Sequence, residues 1–536
     1  MTLFIDRLEH TYFESFKEQE DAHFSPVMAA RLLDPVVVSS NKLLAEELGI
    51  DPDSLDSPDM LEIMSGNFMT ANVKPIALVY SGHQFGVWAG QLGDGRAMTL
   101  GELPVANRGP VANRGPVANR GPVANRGPVI DAVTADSELL DSELLDSELL
   151  DSELSHSELW DIQLKGAGPT PYSRFADGRA VLRSSIREYL CSEAMHGLGI
   201  ATTRALSLVD SKTAVYREEV ESGATVCRVA RSHIRFGSFE HFHYRNQPES
   251  VRALADYVVQ RHFPQWATDE GRYLKLFKNT VFKTAKMIAQ WQSVGFNHGV
   301  MNTDNMSILG DTLDFGPFGF LDNYNPEFIC NHSDTNGRYS FKNQPSVGLW
   351  NLNALATSLT SLLSSDELID VLKQYEPEFL NQFRAIMVSK LGLENYQTDD
   401  ELLSNELLDL MQINNVDYTI LFRSLCDFND ANQTVRDQFI DREAFDQWAV
   451  KYLARLGQQD LSDADRRDNM RAVNPKYVLR NYMAQAAIEK AQAGDYSEVN
   501  LLLKVLQSPC EEHPEAQQYA GLPPDWAEKI SVSCSS

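Results

Sequence analysis

The 536-residue sequence predicts an α+β protein with a mainly helical C-terminal extension, and three observations support this fold class. Between Ala77 and Phe236, short runs of Val, Ile, Trp and Phe alternate with glycine clusters, as in strands joined by turns. The amphipathic stretch over about 279–294 predicts a long helix that ends at Gly295. From Gly348 onward the periodicity is mostly helical.

The predicted elements follow one another in a simple order. The first 75 residues have the pattern of helices and loops, and Tyr80–Arg96 has the glycine spacing of a hairpin that something approaches closely. A strand is predicted over Asp161–Lys165, and an amphipathic helix after Arg179. A second strand is predicted over Val226–Phe236.

Composition and charge exclude several classes of protein. The net charge of −28 argues against binding to a nucleic-acid backbone. No apolar run approaches the roughly 20 residues that span a bilayer, and the first residues lack the apolar core of a signal peptide. The six cysteines form no C-x-x-C pair, so neither a zinc site nor a disulfide framework is indicated. We therefore expect a cytoplasmic protein without nucleic-acid or membrane partners.

Repeats interrupt the strand-forming part of the chain. Pro104–Gly127 consists of four copies of P-V-A-N-R-G, and D-S-E-L-L repeats follow from Ser137. A proline and a glycine in every six-residue unit prevent a regular helix. We predict that residues 104–158 form an expanded, solvated loop outside the active site. A β-solenoid is the alternative, although four six-residue units are too few to stand alone.

One motif points to chemistry on phosphate groups. His298 and Asn305 have the spacing of the protein-kinase catalytic loop, H-R-D-x-x-x-x-N, and Asp314 begins the D-F-G sequence that follows it. Val300 occupies the position of the kinase base and cannot accept a proton. A carboxylate reappears at Asp304. Ordinary phosphoryl transfer is therefore in doubt, and Asp304 becomes the candidate base.

The same motif predicts a metal site. Apolar runs on either side of Gly310 predict a hairpin in which Ser307 faces Asp314, which would bring Asn305 close to Asp314. An amide oxygen and a carboxylate suit Mg²⁺ or Mn²⁺, which complete their shells with phosphate and water. The alternative is an ordinary Gly-Asp turn. The sequence spacing from His298, which matches the kinase motif, favours a metal site over an ordinary turn.

A lysine and a glutamate resemble the pair that positions phosphates in kinases. Lys165 ends the predicted strand, and Glu188 lies in the helix that follows. Glu193 is a rival, but five residues along a helix it faces away from Glu188. Arginine side chains suited to phosphate oxygens are Arg96, Arg228 and Arg235. Their alternative role is salt bridging at the surface of an acidic protein.

Long segments match one known family. They closely resemble selenoprotein O, also called the YdiU family, over nearly the whole chain apart from about residues 104–158. The segments are Tyr80–Leu100, Asp161–Ile200, His298–Phe320, Phe328–Gly348 and the sequence N-P-K-Y-V-L-R-N from Asn474.

The resemblance implies a protein-kinase-like fold of two lobes that binds ATP in a flipped orientation. It implies transfer of AMP from ATP to Ser, Thr or Tyr hydroxyls of protein substrates, with release of pyrophosphate and with Mg²⁺ or Mn²⁺ as cofactor. Some members are also linked to UMP transfer. If the α-phosphate is the electrophile, the base need not occupy the kinase position, which reconciles Val300 with a working site.

The family's functional residues can be carried over position by position. The resemblance implies that Asp304 is the proton acceptor, that Asn305 and Asp314 are metal ligands, and that Glu188 is the partner of Lys165. The implied nucleotide contacts are Gly93, Gly95, Arg96, Lys165, Asp177, Gly178, Arg228, Arg235 and Asp314.

The sequence departs from the family at two places. The repeats fall between Arg96 and Lys165, but loop closure costs only about 0.6 kcal/mol per doubling of length, so the site survives if both loop ends are paired strands. Cys534 matches a near-terminal cysteine or selenocysteine that the family links to redox control. Asn297 stands where some bacterial members have a second cysteine, so a bond between those two positions is excluded.

Two other functions stay open at this stage. One is a protein kinase with Asp304 as a displaced base. The other is a nucleotide-binding pseudokinase scaffold, which Val300 favours and the retained Asn305 and Asp314 disfavour. Under each of these hypotheses we expect the same four regions. They are an N-terminal segment of helices and loops at 1–75, a nucleotide-binding region at 76–240, a catalytic region at 241–430 and a helical extension with a polar tail at 431–536.

Overall fold

The computed structural model describes residues 4–19, 22–106, 158–429 and 434–533, and it confirms the α+β class. Most of the repeats, at 107–157, and Cys534 lie outside the described residues. Pro104, Val105 and Glu158, which the sequence assigned to the loop, lie instead in paired strands. The strands are β1 Phe24–Pro26, β2 Val36–Ser40, β3 Ile76–Leu78, β4 His83–Gln84, β5 Val87–Trp88, β6 Ala97–Val105, β7 Glu158–Lys165, β8 Ala180–Val181, β9 Arg204–Asp210, β10 Ala214–Tyr216, β11 Val220–Ala230, β12 Phe296–Asn297 and β13 Gly319–Phe320.

One antiparallel sheet of nine strands organises the first half of the chain as far as it is described. Its main order is β1-β3-β6-β7-β11-β9-β2, and β8 and β10 pair with β11. Segment 1–75, expected to form helices and loops, thus also contributes β1 and β2 to this sheet. Two pairs of short antiparallel strands, the hairpin of β4 with β5 and the pair β12 with β13, lie outside it.

Helices cover the sheet and make up most of the second half. They are α1 Thr11–Phe16, α2 Lys42–Glu47, α3 Pro58–Met64, α4 Leu182–Gly197, α5 Phe236–Tyr244, α6 Pro248–His262, α7 Arg272–Ser293, α8 Gln344–Ser358, α9 Ser365–Leu372, α10 Tyr375–Lys390, α11 Thr398–Asn414, α12 Tyr418–Leu425, α13 Arg442–Leu456, α14 Asp463–Val473, α15 Asn481–Gln492 and α16 Ser497–Gln507. None of the described helices is long and apolar enough to cross a membrane.

Alternation along the central strands decides which side chains face α4. On β7, Ile162 and Leu164 belong to the apolar cluster on the far face of the sheet. Their neighbours Gln163 and Lys165 must therefore point to the face that α4 covers, because strand side chains alternate. On β11 the pairing of Arg228 with Gln163 places this arginine on the same face.

The long helix and the end of the second predicted strand differ from expectation in detail. The helix is confirmed as α7 and starts at Arg272, and Gly295 follows its end with a φ of 72°. Strand β11 ends at Ala230, so only Arg228 of the predicted strand arginines lies on it. Arg235 is instead the N-cap residue of α5.

The predicted register of the hairpin around Gly310 is wrong. Ser307 was expected to face Asp314, but it pairs with Arg235 instead. The residue that faces the second arm is Met306, which pairs with Thr312. The cause is that each arm bonds to a different segment. The first arm exchanges backbone hydrogen bonds with residues 234–236, and the second with residues 201–203.

Candidate active site

The Lys165 ammonium group joins a buried cluster of charges between β7, β11 and α4. Its Nζ donates to Oε2 of Glu188 at 2.5 Å, and Nη1 of Arg228 donates to the other oxygen at 3.0 Å. Burial lowers the pKa of Lys165, and Glu188 opposes that effect. The rival glutamate, Glu193, is engaged elsewhere, with Arg204 at 2.9 Å.

Asp314 is held between two buried arginines. Nη1 of Arg228 donates to its Oδ1 at 2.6 Å, and Nη1 of Arg235 donates to its Oδ2. Burial alone would raise the pKa of Asp314, but Arg235 and Arg228 hold it well below the ordinary value. Its φ of 60° is rare outside glycine, and strain of this kind clusters at functional sites.

Asp304 lies in a single 3-10 turn, Thr303–Asn305, beside this cluster. Its backbone oxygen accepts from Nη1 of Arg235 at 2.6 Å, and its Oδ2 accepts from Nε2 of Gln84 at 3.2 Å. Its Oδ1 is buried without a hydrogen-bond partner. Burial raises the pKa of Asp304 to about 6, although Gln84 and Arg235 act in the opposite direction. A carboxylate with one oxygen to spare and a pKa near neutrality is suited to accept a proton.

Asn305 and His298 fix the loop around Asp304. The side-chain nitrogen of Asn305 donates to the carbonyl oxygen of Val300 at 2.9 Å. The imidazole of His298 donates through Nε2 to the carbonyl oxygen of Leu313 at 2.9 Å, next to Asp314. Burial lowers the pKa of His298, so the ring is neutral and serves as a structural link between the two halves of the motif.

The donor atoms present fit a divalent cation only in part. The described ranges contain no group of three or more His, Cys, Asp or Glu side chains placed to hold a metal ion. The sequence assigns a cation to the oxygens of Asn305 and Asp314, with phosphate and water completing the shell, but the register that was expected to bring these two residues together is not the one observed. Both oxygens of Asp314 also contact arginines, so a bound cation would share this carboxylate with them.

The glycine-rich segment that contains Gly93 and Gly95 packs closely against Tyr172. At Gly93, with a φ of 110°, an added Cβ would lie 2.4 Å from the Tyr172 ring. At Gly95 it would lie 2.9 Å from the Tyr172 carbonyl oxygen. Ser173 and Thr170 donate to backbone oxygens of the same segment at 2.5 and 2.7 Å. These glycines thus permit close packing between two loops.

The remaining predicted contacts lie outside the bonded cluster. Asp177 is exposed and pairs with Arg217 at 2.9 Å. At Gly178, with a φ of 68°, a Cβ would lie 2.2 Å from the backbone oxygen of Gly168. Arg96 is exposed, and its charge contributes to the lowered pKa of Lys165. The structure therefore brings together Lys165, Glu188, Arg228, Arg235, Asp304 and Asp314 in one hydrogen-bonded network.

Sequence reasoning missed two members of the site. Gln163 is fully buried and accepts from Nε of Arg228 at 3.0 Å. It lies two residues before Lys165 on β7, so the alternation of the strand could have identified it. Gln84 contacts Asp304 from a hairpin far away in sequence, and no local pattern indicates such a contact.

Comparison with known proteins gives a consistent result. The family model described as protein adenylyltransferase SelO matches residues 6–111 and 147–507. A protein nucleotidyltransferase YdiU from Pectobacterium atrosepticum is 48% identical over 514 residues, which cover 96% of this chain and 95% of the relative. The protein of the same name from Myxococcus xanthus is 48% identical over 518 residues, covering 96% and 95%. That from Herminiimonas arsenicoxydans is 45% identical over 527 residues, covering 97% and 96%.

The two stretches that the family model matches include every member of the charge network around Asp314. The chain therefore belongs to the SelO family of protein nucleotidyltransferases.

Proposed function

We propose that this protein transfers AMP from ATP to Ser, Thr or Tyr hydroxyls of protein substrates and releases pyrophosphate. One observation carries the proposal: a buried carboxylate with a free oxygen, Asp304, adjoins the two arginines that hold Asp314, and Lys165 is linked to them through Glu188. A base beside a cluster of cations is the arrangement that nucleotidyl transfer requires, because a proton leaves one reactant while negative charge moves onto the other.

The reaction follows from these positions. Asp304 takes the proton from the acceptor hydroxyl through its unpartnered Oδ1. The hydroxyl oxygen attacks the α-phosphorus, the bond from this phosphorus to the bridging oxygen breaks, and the electron pair leaves with pyrophosphate. A pKa of about 6 keeps Asp304 ionised at neutral pH while it is still basic enough to share a proton in the transition state.

The cations hold the triphosphate and offset its charge. Arg228 and Arg235 present guanidinium groups, which match phosphate oxygens in forked contacts, and Lys165 adds a point charge. Glu188 and Asp314 keep these groups in place before the nucleotide binds. A divalent cation held by Asn305 and Asp314 would neutralise phosphate oxygens.

The proposal includes a two-lobed, protein-kinase-like arrangement and a cytoplasmic location. In support, the strand lysine pairs with a helical glutamate, and His298 bonds to the residue before the D-F-G sequence. The regions 76–240 and 241–430 would be the two lobes, with 1–75 as the N-terminal segment and 431–536 as the extension. UTP is proposed as a second donor.

Intact-mass spectrometry tests the function directly. The purified protein and a generic protein acceptor are incubated with ATP or UTP and with Mg²⁺ or Mn²⁺. AMP transfer adds about 329 Da, whereas phosphorylation adds about 80 Da and would identify a kinase. Label from α-labelled ATP, but not from γ-labelled ATP, should remain on the acceptor. A mass gain of zero with ATP still bound would favour the pseudokinase scaffold.

Variants connect the mass gain to the site. Asp304→Asn and Asp314→Ala should each abolish the gain in mass. Asp304→Asn removes the base, and Asp314→Ala removes the carboxylate that Arg228 and Arg235 share. Asp366→Asn on α9 is the matched control, because this carboxylate is exposed in a helix of the second half. Full activity in Asp314→Ala with ATP and Mg²⁺ supplied would refute the mechanism.

A further inference from the structure

The hairpin formed by β4 and β5 holds the loop that carries the proposed base. The backbone N–H of His83 donates to Oγ1 of Thr303 at 2.7 Å, and Gln84 donates to Asp304. The backbone N–H of Phe85 donates to Oδ1 of Asn302 at 3.2 Å. Consecutive hairpin residues thus bind consecutive residues of the catalytic loop, so the hairpin lies beside the proposed site of proton transfer.

The turn of this hairpin holds an exposed aromatic residue in a backbone conformation that is rare for such residues. Phe85 and Gly86 both have positive φ, 50° and 81°. Glycine adopts this conformation readily, but a bulky side chain does not. Phe85 is nevertheless 41% exposed, and its ring rests on Tyr339 at a centroid distance of 5.1 Å. Such an outlier suggests a role in binding more than a role in folding.

Further apolar side chains extend the exposed face. Val87 is 69% exposed and Tyr244 is 46% exposed. Trp350 contacts the His83 ring at a centroid distance of 5.3 Å and is also exposed. Tyr244 also contacts the His83 ring, at a centroid distance of 5.7 Å, so Tyr244 and Trp350 lie beside the same histidine. Exposed apolar side chains beside a catalytic residue are typical of a binding surface.

The positively charged side chain of Arg338 lies beside these rings, and no carboxylate of the described residues pairs with it. The guanidinium of Arg338 lies over the Trp350 ring at 4.8 Å and packs against Gly86, where an added Cβ would be 3.2 Å from its Cζ. Its Nε is buried without a hydrogen-bond partner. Within the described part of this acidic chain, Arg338 forms no ion pair, because the nearby Asp334 carboxylate accepts backbone N–H groups instead.

We propose that Phe85, Tyr244, Arg338 and Trp350 form an acceptor surface for an extended segment of the protein substrate. An acidic residue of that segment pairs with Arg338, and an apolar residue packs on the exposed rings. The proposal rests on the proposed function and names the sequence context that the enzyme would select.

The spacing of the hairpin residues indicates where the acidic residue of the substrate would lie. Gly86, on which Arg338 packs, is two residues beyond Gln84, the partner of Asp304. An extended chain advances about 3.3 Å per residue, so Arg338 would meet an acidic side chain about two to four residues from the acceptor hydroxyl. A guanidinium that already stacks on the Tyr339 and Trp350 rings loses little freedom when it binds a carboxylate.

Charge exchange provides the test. Two synthetic peptides carry a single Tyr hydroxyl and differ only in having Glu or Lys at about two to four residues from it. We expect the wild-type protein to prefer the Glu peptide by about tenfold in kcat/KM, mainly through KM, as for a charge-assisted hydrogen bond. Arg338→Glu should reverse the preference, and Arg338→Gln should remove it. Raised ionic strength should reduce the wild-type preference.

Each result decides between the possibilities. Arg442→Glu, the same charge change at an exposed position of α13, is the control and should keep the wild-type preference. Equal rates for both peptides, or an unchanged preference in Arg338→Glu, would overturn the acceptor surface while leaving the proposed function intact. A loss of ATP affinity in Arg338→Glu without a change in preference would assign the guanidinium to the nucleotide and overturn it as well. Modification of neither peptide by the wild-type protein contradicts the proposed function itself.

Discussion

Asp304→Asn should make the protein more stable at neutral pH while removing its activity. Burial raises the pKa of Asp304 from 3.8 to about 6. Each unit corresponds to 1.36 kcal/mol, so ionised Asp304 destabilises the folded state by about 3 kcal/mol at pH values above both pKa values. Asparagine has the same shape without the charge, and it removes this penalty. Stability given up at a reactive carboxylate is a common cost of function.

The pH dependence gives the sharper measurement. Because the folded pKa is raised, the penalty is absent below the unfolded pKa of 3.8 and complete above the folded pKa of about 6. The advantage of Asp304→Asn over the wild-type protein should grow by about 2 kcal/mol between about pH 4.5 and pH 7.5. The buried amide of the variant also lacks a partner, but that cost does not change with pH and cancels in the comparison.

Urea denaturation at the two pH values, without nucleotide or divalent cation, measures this difference. Asp366→Asn, with an exposed carboxylate, should show no such pH dependence. A constant gap between Asp304→Asn and the wild-type protein would refute the reasoning, because it would mean that Asp304 is not a desolvated acid. Loss of AMP transfer alone would not be decisive, since many changes near an active site abolish turnover.

Three further outcomes follow from the same structure. Initial rates of AMP transfer should fall as the pH drops through about 6, because Asp304 becomes protonated, and a bound cation should move the midpoint lower. Glu188→Gln removes the buried carboxylate that pairs with Lys165 and Arg228, so it should lower the free energy of unfolding in urea by about 3 kcal/mol. ATP should reduce this difference from the wild-type protein, and an unchanged urea midpoint in the variant would contradict the prediction. Replacing residues 107–157 with a two-residue Asn-Gly turn should preserve ATP affinity in calorimetry, and a large loss would place the repeats in the site.

Local periodicity, combined with the kinase-like motif, predicted the part of the site that lies on regular elements. The two-residue alternation of a strand places Lys165 on one face of β7, and the helical repeat separates Glu188 from Glu193. The structure pairs Lys165 with Glu188 and leaves Glu193 to Arg204. Lys165 and Glu188 lie on different elements, but the face that each presents depends on the spacing within its own element, which a sequence displays directly.

Contacts between distant segments could not be predicted in the same way. The strand predicted to reach Phe236 ends early because the backbone N–H of His233 donates to Asp161 and that of Ile234 to Ser232. Side-chain acceptors that bind backbone groups in this way compete with a strand ladder. The Gly310 hairpin failed for a related reason, since its two arms bond to segments far away in sequence. Apolar spacing carries no information about such partners.

The pairing of β6 with β7 explains how a long insertion is compatible with the site. The register runs from Ala97 opposite Lys165 to Val105 opposite Glu158, so the insertion leaves the sheet at the end away from Lys165. At about 3.4 Å per residue the two ends of β7 are roughly 24 Å apart. Arg231 pairs with Glu158 at 2.9 Å and anchors the far end. The family model is interrupted only between residues 111 and 147, inside the insertion. The strands that position Lys165 are thus closed by their own pairing, and the length of the connection between them has little effect on the charge cluster.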